Sequence, residues 1–257
     1  MQKKRNWSRG ELIVAFYQYC VTPFGKIHNR NPELIKLSEE MGRSVNSLAM
    51  KMCNFASFDP AHQTRNVKGL SNASKGDRAI WDEFSGNFDL LLDSYREELE
   101  NKLITVDEDN IQEQLVRPEQ TEKLQQVKVR LSQSFFRQSV LGNYNYQCAI
   151  CRLDNIKLLN ASHIVHWSVD EVRRSDPKNG LSLCALHDRA FDRGLLTLDE
   201  EFRVVLSCQL LSKTNSNVHR IAFDNMQGVR ITMPDKFAPA QDALEYHRKN
   251  IFIHKAC

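Results

Sequence analysis

Residues 179–194 read Asn-Gly-Leu-Ser-Leu-Cys-Ala-Leu-His-Asp-Arg-Ala-Phe-Asp-Arg-Gly, and this stretch decides the predicted fold of the C-terminal half. The glycine after Asn179 permits a tight loop, in which the asparagine amide can tie the loop to a strand. Residues 183–193 then have the apolar spacing of one short helix. The stretch therefore predicts a tight loop at its start and a short helix in its second half.

The polar residues of this predicted helix suggest a metal site. Asp188 and Asp192 are four residues apart and would share one face, where their carboxylates could jointly hold Mg²⁺ or another hard cation. His187 is one step earlier, about 100° around the helix, and would face another direction.

Strand-like segments flank the helix. Residues 157–167 are rich in alternating and β-branched positions and contain His163, whose imidazole titrates near neutral pH and can accept a proton from water. Residues 195–198 and 202–207 form a predicted hairpin around a turn at 199–201. The resulting order is strand, loop, short strand and helix.

Cysteine spacing suggests a second metal site. The chain has seven cysteines, and only Cys148 and Cys151 are clustered. Together with Cys184 and His187, they form two ligand pairs at the spacing of a structural zinc site. The spacing leaves two alternatives open. If zinc binds, Asp188 and Asp192 must hold any catalytic ion; if it does not, His187 is free to join them.

The N-terminal half is predicted to be helical, from residue 7 to about 100. The Asn31-Pro32 pair is typical of a helix start, Gly42 ends that helix, and another begins near Ser44 or Asn46. This is the outline of a helix-turn-helix. The second helix is expected to expose polar residues that can reach DNA. The candidates are Arg43, Asn46, Ser47 and Lys51. A plain helical bundle is the alternative.

Charge divides the chain into three blocks. The net charge is +7 over 1–78, −10 over 79–122 and +6 over 123–257, within a total of +3. Two basic blocks around an acidic one suit a chain that meets phosphate at two places, although a solvated acidic helix and linker would give the same totals. The predicted organisation is a helical domain at 1–103, an acidic linker at 104–127 and a catalytic domain at 128–257. Within the first domain, 81–103 is predicted as a single helix.

Composition narrows the class of protein. Hydrophobic residues make up 41% and charged residues 26%, as in ordinary globular domains. No apolar run approaches the roughly 20 residues that span a bilayer, and the basic start of the chain has no apolar segment behind it. We expect a cytoplasmic α+β protein without a membrane partner.

The C-terminal half resembles the HNH endonucleases, which have the ββα-metal fold. His163, Asn179 and the His187-Asp188 pair correspond to the His-Asn-His signature. Residues 179–194 are similar to a subgroup of predicted restriction endonucleases, as are Tyr146-Gln-Cys-Ala-Ile-Cys151 and Ala161-Ser-His-Ile164. The resemblance covers about residues 127–257, with its motifs in order and at fitting spacings. The helical N-terminal half resembles, more vaguely, the DNA-binding regions fused to such nucleases.

The resemblance implies a mechanism. His163 would be the general base, Asn179 would fix the loop and orient that base, and His187, Asp188 and Asp192 would supply ligands for Mg²⁺ or Mn²⁺. The products would carry a 5′-phosphate and a 3′-hydroxyl. Double-stranded DNA would be the substrate and phage defence or restriction the role. Because duplex cutting at a single site usually takes two copies, a homodimer is expected.

This chain departs from the family pattern at two positions. Asp188 stands where many members have their final histidine, so either Asp188 replaces it or the helix is shifted and His187 does. Ser162 stands before the base, where many members have an acidic or histidine ligand, which suggests weaker metal binding.

Two further interpretations concern the same half. Arg173 and Arg174, in the loop before Asn179, could clamp a phosphate, although a solvated loop fits equally well. A zinc-stapled module that binds nucleic acid without cutting is the alternative to a nuclease. It explains the cysteines and His187, but it leaves His163, Asn179 and the two aspartates without a role.

Overall fold

The chain divides into two compact units. The computed structural model describes residues 5–63, 73–104, 118–211 and 216–254. The first unit ends at Phe135 and the second begins at Phe136. Of the predicted acidic linker, residues 105–117 lie outside the described residues, and 118–127 are helical.

The first unit is built from helices, and the described residues of this unit contain no strand. Their bounds are α1 Arg9–Val21, α2 Pro32–Glu40, α3 Val45–Ala56, α4 Pro60–Gln63, α5 Lys75–Phe84 and α6 Phe88–Ile104, followed by the start of α7, Pro118–Asn143. Several of these helices are capped at their N-termini by a side chain that accepts a hydrogen bond from a backbone N–H group. Ser8 caps α1 in a capping box with Glu11, Asn31 caps α2 ahead of Pro32, and Ser44 caps α3.

Helix α1 is the centre of this unit. The sequence predicts a one-sided apolar stripe, but α1 is buried around almost its whole circumference. Phe16 and Tyr19 are fully buried, and Phe16 packs edge-on against Phe55 and Trp81. Helices α3, α5 and α6 pack around α1 and cover the rest of its surface.

The helix–turn–helix outline is present between α2 and α3. Gly42 has a φ of +58°, a left-handed conformation that glycine adopts without strain, and it lies in the turn between the two helices. The prediction of one helix over 81–103 is wrong, because α5 ends at Phe84 and α6 begins at Phe88. Asn87 accepts the Leu90 N–H at the start of α6.

The second unit surrounds a small antiparallel hairpin. Strands β1 Leu159–His163 and β2 Gly180–Cys184 pair with His163 opposite Gly180, and β2 leads directly into α8, Ala185–Asp192. A second pair, β3 Leu196–Leu198 and β4 Val204–Leu206, confirms the predicted hairpin. Helices α9 Asn217–Ala222 and α10 Gln241–Asn250 follow. Helices with two small antiparallel sheets agree with the predicted α+β class.

Two glycines permit close packing around this hairpin. A Cβ atom at Gly180 would overlap Val140 and Phe136 of α7, so glycine is needed for the helix to lie against the strand. Gly194 has a φ of +67° just after α8, and a Cβ there would overlap the Ile251 carbonyl. Both contacts fix the position of the β2–α8 segment.

None of the helices in the described residues is long and apolar enough to cross a bilayer.

A buried histidine holds the C-terminal helix against α8. His247 is fully buried, stacks on Phe191 at 3.8 Å between ring centroids, and its Nε2 lies 3.1 Å from the Phe191 carbonyl oxygen. Its Nδ1 lies 2.9 Å from the Thr197 hydroxyl. Burial lowers the pKa of His247 to about 4, so the folded protein holds a neutral ring.

We expect this histidine to make stability depend on pH. The unfolded chain binds a proton near pH 6.5 and the folded chain only near pH 4, so unfolding takes up a proton between these values. The contribution of His247 to the free energy of unfolding should be complete above pH 6.5. It should fall by about 3 kcal/mol as the pH drops toward 4. Thermal unfolding at pH 7 and pH 5 measures this fall.

Two variants separate the effect of His247 from a general loss of stability in acid. His247→Gln should lower the melting temperature at pH 7 but flatten its decline toward pH 5, whereas the exposed His254→Gln should leave the decline as in wild type. An unchanged decline in His247→Gln would contradict the assignment.

Candidate metal centre and active site

Three cysteines and a histidine converge at the base of α8. The ligand atoms of Cys148, Cys151, Cys184 and His187 all lie within 4.8 Å of one another. Cys148 and Cys151 come from the turn before β1, Cys184 ends β2, and His187 lies in the first turn of α8. Cys148, Cys184 and His187 are buried, whereas Cys151 is exposed.

The separations fit a tetrahedral zinc ion. The Cys151 and Cys184 sulfurs are 3.9 Å apart, and His187 Nδ1 lies 3.5 Å from the Cys148 sulfur and 3.2 Å from the Cys184 sulfur. Zn–S bonds of about 2.3 Å and Zn–N bonds of about 2.0 Å give tetrahedral edges of roughly 3.5 to 3.8 Å. A disulfide would instead need sulfurs about 2.05 Å apart.

The second nitrogen of His187 supports the same conclusion. Its Nε2 lies 2.8 Å from the Ala222 carbonyl oxygen, so the N–H there donates and Nδ1 is left as the ligand atom. Hydrogen bonds from the Cys148 and Cys151 thiols lower the pKa of the Cys184 thiol, which favours a thiolate. The donor set, its spacing and its burial all fit structural zinc.

This geometry decides which way His187 faces. The sequence left His187 between the cysteine group and the catalytic ion, and the structure places it with the cysteines, 1% exposed and with both ring nitrogens occupied. The α8 side chains that remain as candidate ligands for a second ion are Asp188 and Asp192.

His163 ends β1 with its ring held on three sides. The ring stacks on Phe136 at 3.7 Å between centroids and meets Trp167 edge-on at 5.7 Å. Its Nε2 lies 3.0 Å from the Arg174 carbonyl oxygen. A carbonyl only accepts, so Nε2 carries the proton and Nδ1 has a free lone pair. Burial lowers the pKa of His163, which keeps this ring neutral at pH 7.

Asn179 ties the loop that holds His163. It is 1% exposed; its Oδ1 accepts the Val165 N–H at 2.8 Å, and its Nδ2 donates to the Val165 carbonyl at 3.0 Å. The same amide donates to the Arg173 carbonyl at 3.3 Å. Because Arg173 precedes the residue whose carbonyl holds His163, the asparagine acts on the orientation of the imidazole through the backbone.

Asp188 and Asp192 lie one turn apart on α8. Asn160 of β1 donates to Asp188 Oδ2 at 2.6 Å, which anchors that carboxylate beside the strand. Burial raises the pKa of Asp192, and the neighbouring charge of Asp188 raises it further. Two carboxylates that repel each other in this way are a site where a cation would be stabilised.

Asp188 and Asp192 do not converge with a third candidate ligand in the part of the chain that the structure describes. Within the described residues, the cysteine–histidine group is the only set of three or more histidine, cysteine or acidic side chains whose donor atoms converge. Ser162, directly before His163, is buried, and its hydroxyl has no hydrogen-bond partner within the described part of the chain. A hard cation held by two carboxylates, with water and phosphate as its other ligands, matches the way in which proteins bind Mg²⁺.

Residues 148–199 match the HNH_2 family, described as HNH endonuclease. This HNH segment contains His163, Asn179, both aspartates of α8 and the four cysteine–histidine ligands. It is about a fifth of the chain. No curated protein matches the chain.

One further histidine of the HNH segment is not among the site residues that the sequence predicts. His166 is half-buried and interacts electrostatically with both His163 and Asp192, whose pKa values it lowers. It is therefore close enough to interact with both groups. Its position three residues after His163 was the available signal, but the sequence could not show that the chain turns back there.

Two predicted DNA contacts outside the HNH segment are occupied by ion pairs. Lys51 was expected to be exposed, but it is buried and its Nζ lies 2.8 Å from Asp77, with Asn54 bonded to the same carboxylate. Arg43 is half-buried, pairs with Glu11 at 2.7 Å and lies over the Trp7 ring. The expected exposure of both cations is wrong, because each neutralises a partly buried acid of its own unit.

The remaining predicted DNA contacts differ in accessibility. Asn46 is exposed and Ser47 half-buried on α3. Arg173 pairs with Asp170 at 3.1 Å and with Asp242 at 2.5 Å. Arg174 pairs with Glu171 at 3.0 Å, donates to the Trp167 carbonyl and lies over the Trp167 ring. Both arginines help to hold the loop that carries the Arg174 carbonyl.

We expect the purified chain to carry about one zinc ion. Cys148→Ser should abolish zinc retention and lower the melting temperature of the second unit by roughly 10–20 °C, since a structural zinc ion contributes several kcal/mol to folding. Elemental analysis and calorimetry measure the two effects. Cys53→Ser, outside the cluster, is the control. Zinc-free protein whose melting temperature does not respond to chelators would contradict the assignment.

Proposed function

We propose that this protein is a metal-dependent DNA endonuclease, with His163 as its general base. The observation that carries the proposal is the hydrogen bond between His163 Nε2 and the Arg174 carbonyl at 3.0 Å, inside the HNH segment. It fixes the tautomer in which Nδ1 accepts a proton. A neutral, half-buried imidazole with one free lone pair is suited to activating water.

The chemistry would proceed by in-line hydrolysis. His163 Nδ1 takes a proton from a water molecule, the water oxygen attacks phosphorus, and the bond from phosphorus to the 3′ oxygen breaks. The 3′ oxygen leaves with the bonding electron pair and takes a proton from solvent water. The products carry a 5′-phosphate and a 3′-hydroxyl. Asn179 keeps the base oriented through the Arg173–Arg174 backbone, and Trp167 and Phe136 limit rotation of the ring.

The two metals would have separate roles. Asp188 and Asp192 would hold Mg²⁺ or Mn²⁺, which when bound supplies a Lewis acid to the phosphate and to the leaving oxygen. Cys148, Cys151, Cys184 and His187 would hold zinc and fix the start of α8. The role of His187 in our proposal is thus structural, and Asp188 takes the helix position at the catalytic ion.

Two features of the chain support a proposed substrate and a proposed biological role. We propose double-stranded DNA as the substrate, with restriction or phage defence as the role, supported by the subgroup resemblance and by the attached helical unit. Of the predicted contacts on α3, Asn46 and Ser47 remain candidates to reach DNA, whereas Arg43 and Lys51 support the fold of the first unit. A homodimer would allow both strands to be cut.

A non-catalytic zinc module is the second candidate. The cysteine–histidine cluster supports it equally, because zinc alone would explain that group. A zinc module does not account for the three hydrogen bonds that Asn179 makes with the loop beside His163. Nor does it account for the two interacting aspartates, which lie one turn apart on α8.

Replacing His163 should separate these two functions. In His163→Ala, cleavage of plasmid DNA with Mg²⁺ should slow by about 10²- to 10⁴-fold, the usual contribution of a general base. Zinc content and melting temperature should remain close to wild type. His28→Ala, an exposed histidine of the first unit, is the control. Unchanged cleavage in His163→Ala would remove the proposed base, and no cleavage by wild type with any divalent ion would favour the zinc module.

Replacing the α8 carboxylates should act on the catalytic ion alone. Asp188→Asn and Asp192→Asn each remove one of two charged ligands, so the Mg²⁺ concentration for half-maximal cleavage should rise by at least about 10-fold. Titration of Mg²⁺ and Mn²⁺ against cleavage rate measures this, with the exposed Asp154→Asn as control. Zinc content should not change. A wild-type metal dependence in both variants would place the ion elsewhere.

A further inference from the structure

Helix α8 carries a second pair of charges beside its two aspartates. Arg189 and Arg193 each follow one of the aspartates directly, so they too are four residues apart. Four residues correspond to about 6 Å along the helix axis, and one residue to about 100° around it. The arginines therefore form a row parallel to the carboxylates, on an adjacent face. Both are exposed.

Neither arginine is used in holding the fold. Across 5–63, 73–104, 118–211 and 216–254, the side chains of Arg189 and Arg193 make no salt bridge and no hydrogen bond. The two arginines that the sequence favoured, Arg173 and Arg174, are by contrast both paired with acids of their own unit. Within the described residues, Arg189 and Arg193 are thus exposed cations beside the aspartates that make no ion pair of their own.

We propose that Arg189 and Arg193 bind the DNA phosphates next to the one that is cut, in the role first assigned to Arg173 and Arg174. This inference rests on the proposed nuclease function. A scissile phosphate held at the aspartates would have its neighbours within reach of side chains one helical step away. A guanidinium can bind phosphate through two parallel hydrogen bonds, which gives both affinity and orientation.

A simpler role for these arginines would be to offset the charge of the aspartates. Their positive charge lowers the pKa of Asp192, so some compensation exists. Pure compensation would, however, be served by close ion pairs, as Arg173 makes with Asp170 and Asp242. The two roles differ in what DNA binding does as salt is raised.

The test measures binding of a labelled DNA duplex by the full chain. Fluorescence anisotropy is recorded over a range of salt, at a fixed low Mg²⁺ concentration and in the His163→Ala background, so that the duplex stays intact. Each phosphate contact contributes about 0.9 to the slope of log Kd against log salt. Arg189→Ala/Arg193→Ala should reduce the slope by about 1.8 and weaken binding roughly 60-fold at 0.1 M salt, if the curves meet near 1 M.

Matched variants isolate the position from the charge. Arg189→Lys/Arg193→Lys should retain most of the slope, because a lysine still pairs with phosphate. Arg230→Ala/Lys249→Ala removes the same charge from exposed positions outside α8 and should leave the slope near wild type. Melting temperatures show that each variant is folded.

The outcomes distinguish this inference from the nuclease proposal. A reduced slope in the α8 variant would support the phosphate contacts. If the unmodified chain also failed to cut DNA, the phosphate contacts would stand and the nuclease proposal would be rejected. A wild-type slope in that variant, or an equal loss in the Arg230→Ala/Lys249→Ala control, would overturn the inference while cleavage by the unmodified chain still stood. Failure of the chain to bind DNA would also overturn it.

Discussion

The convergence of three sulfurs and one imidazole at the start of α8 is the constraint on which the second unit depends. It joins the turn at Cys148 and Cys151 to the end of β2, and through the Ala222 carbonyl it reaches α9. A hairpin of two five-residue strands buries too little apolar area to fix a helix by itself. An ion bound by the four side chains would supply the missing restraint. The direction of α8, and hence of both its aspartates, follows from that cluster.

The proposed base, His163, is held in a different way, through hydrogen bonds to backbone carbonyl groups of the loop. Asn179 bonds to both sides of the loop between β1 and β2, and that loop offers the Arg174 carbonyl to His163. Arg174 is itself tied to the Trp167 carbonyl and to Glu171. The two halves of the proposed site are therefore fixed independently, the carboxylates by the cluster and the imidazole by the loop. They are linked by the hydrogen bond from Asn160 to Asp188 and by the pairing of β1 with β2.

Short sequence patterns predicted the features that depend on residues close together in the chain. The two ligand pairs, the loop asparagine, the aspartates and the second hairpin could all be found from short patterns. The partners of Lys51 and Arg43 could not, because Asp77 and Glu11 are 26 and 32 residues away in sequence. The break between α5 and α6 was hidden because apolar spacing continues across it toward one core. The capping side chain of Asn87 was the signal that could have revealed it.

Helix geometry explains how three consecutive residues of α8 can have three different tasks. A step of about 100° turns His187 inward to the cysteines, Asp188 toward Asn160 of β1, and Arg189 to solvent. One turn later the same order returns as buried Phe191, then Asp192 and exposed Arg193. Because one register serves all three faces, rotation of α8 by a single residue would misplace the ligand, the carboxylates and the arginines together. The position of His187 in the cysteine–histidine group therefore also fixes where α8 places its aspartates and arginines.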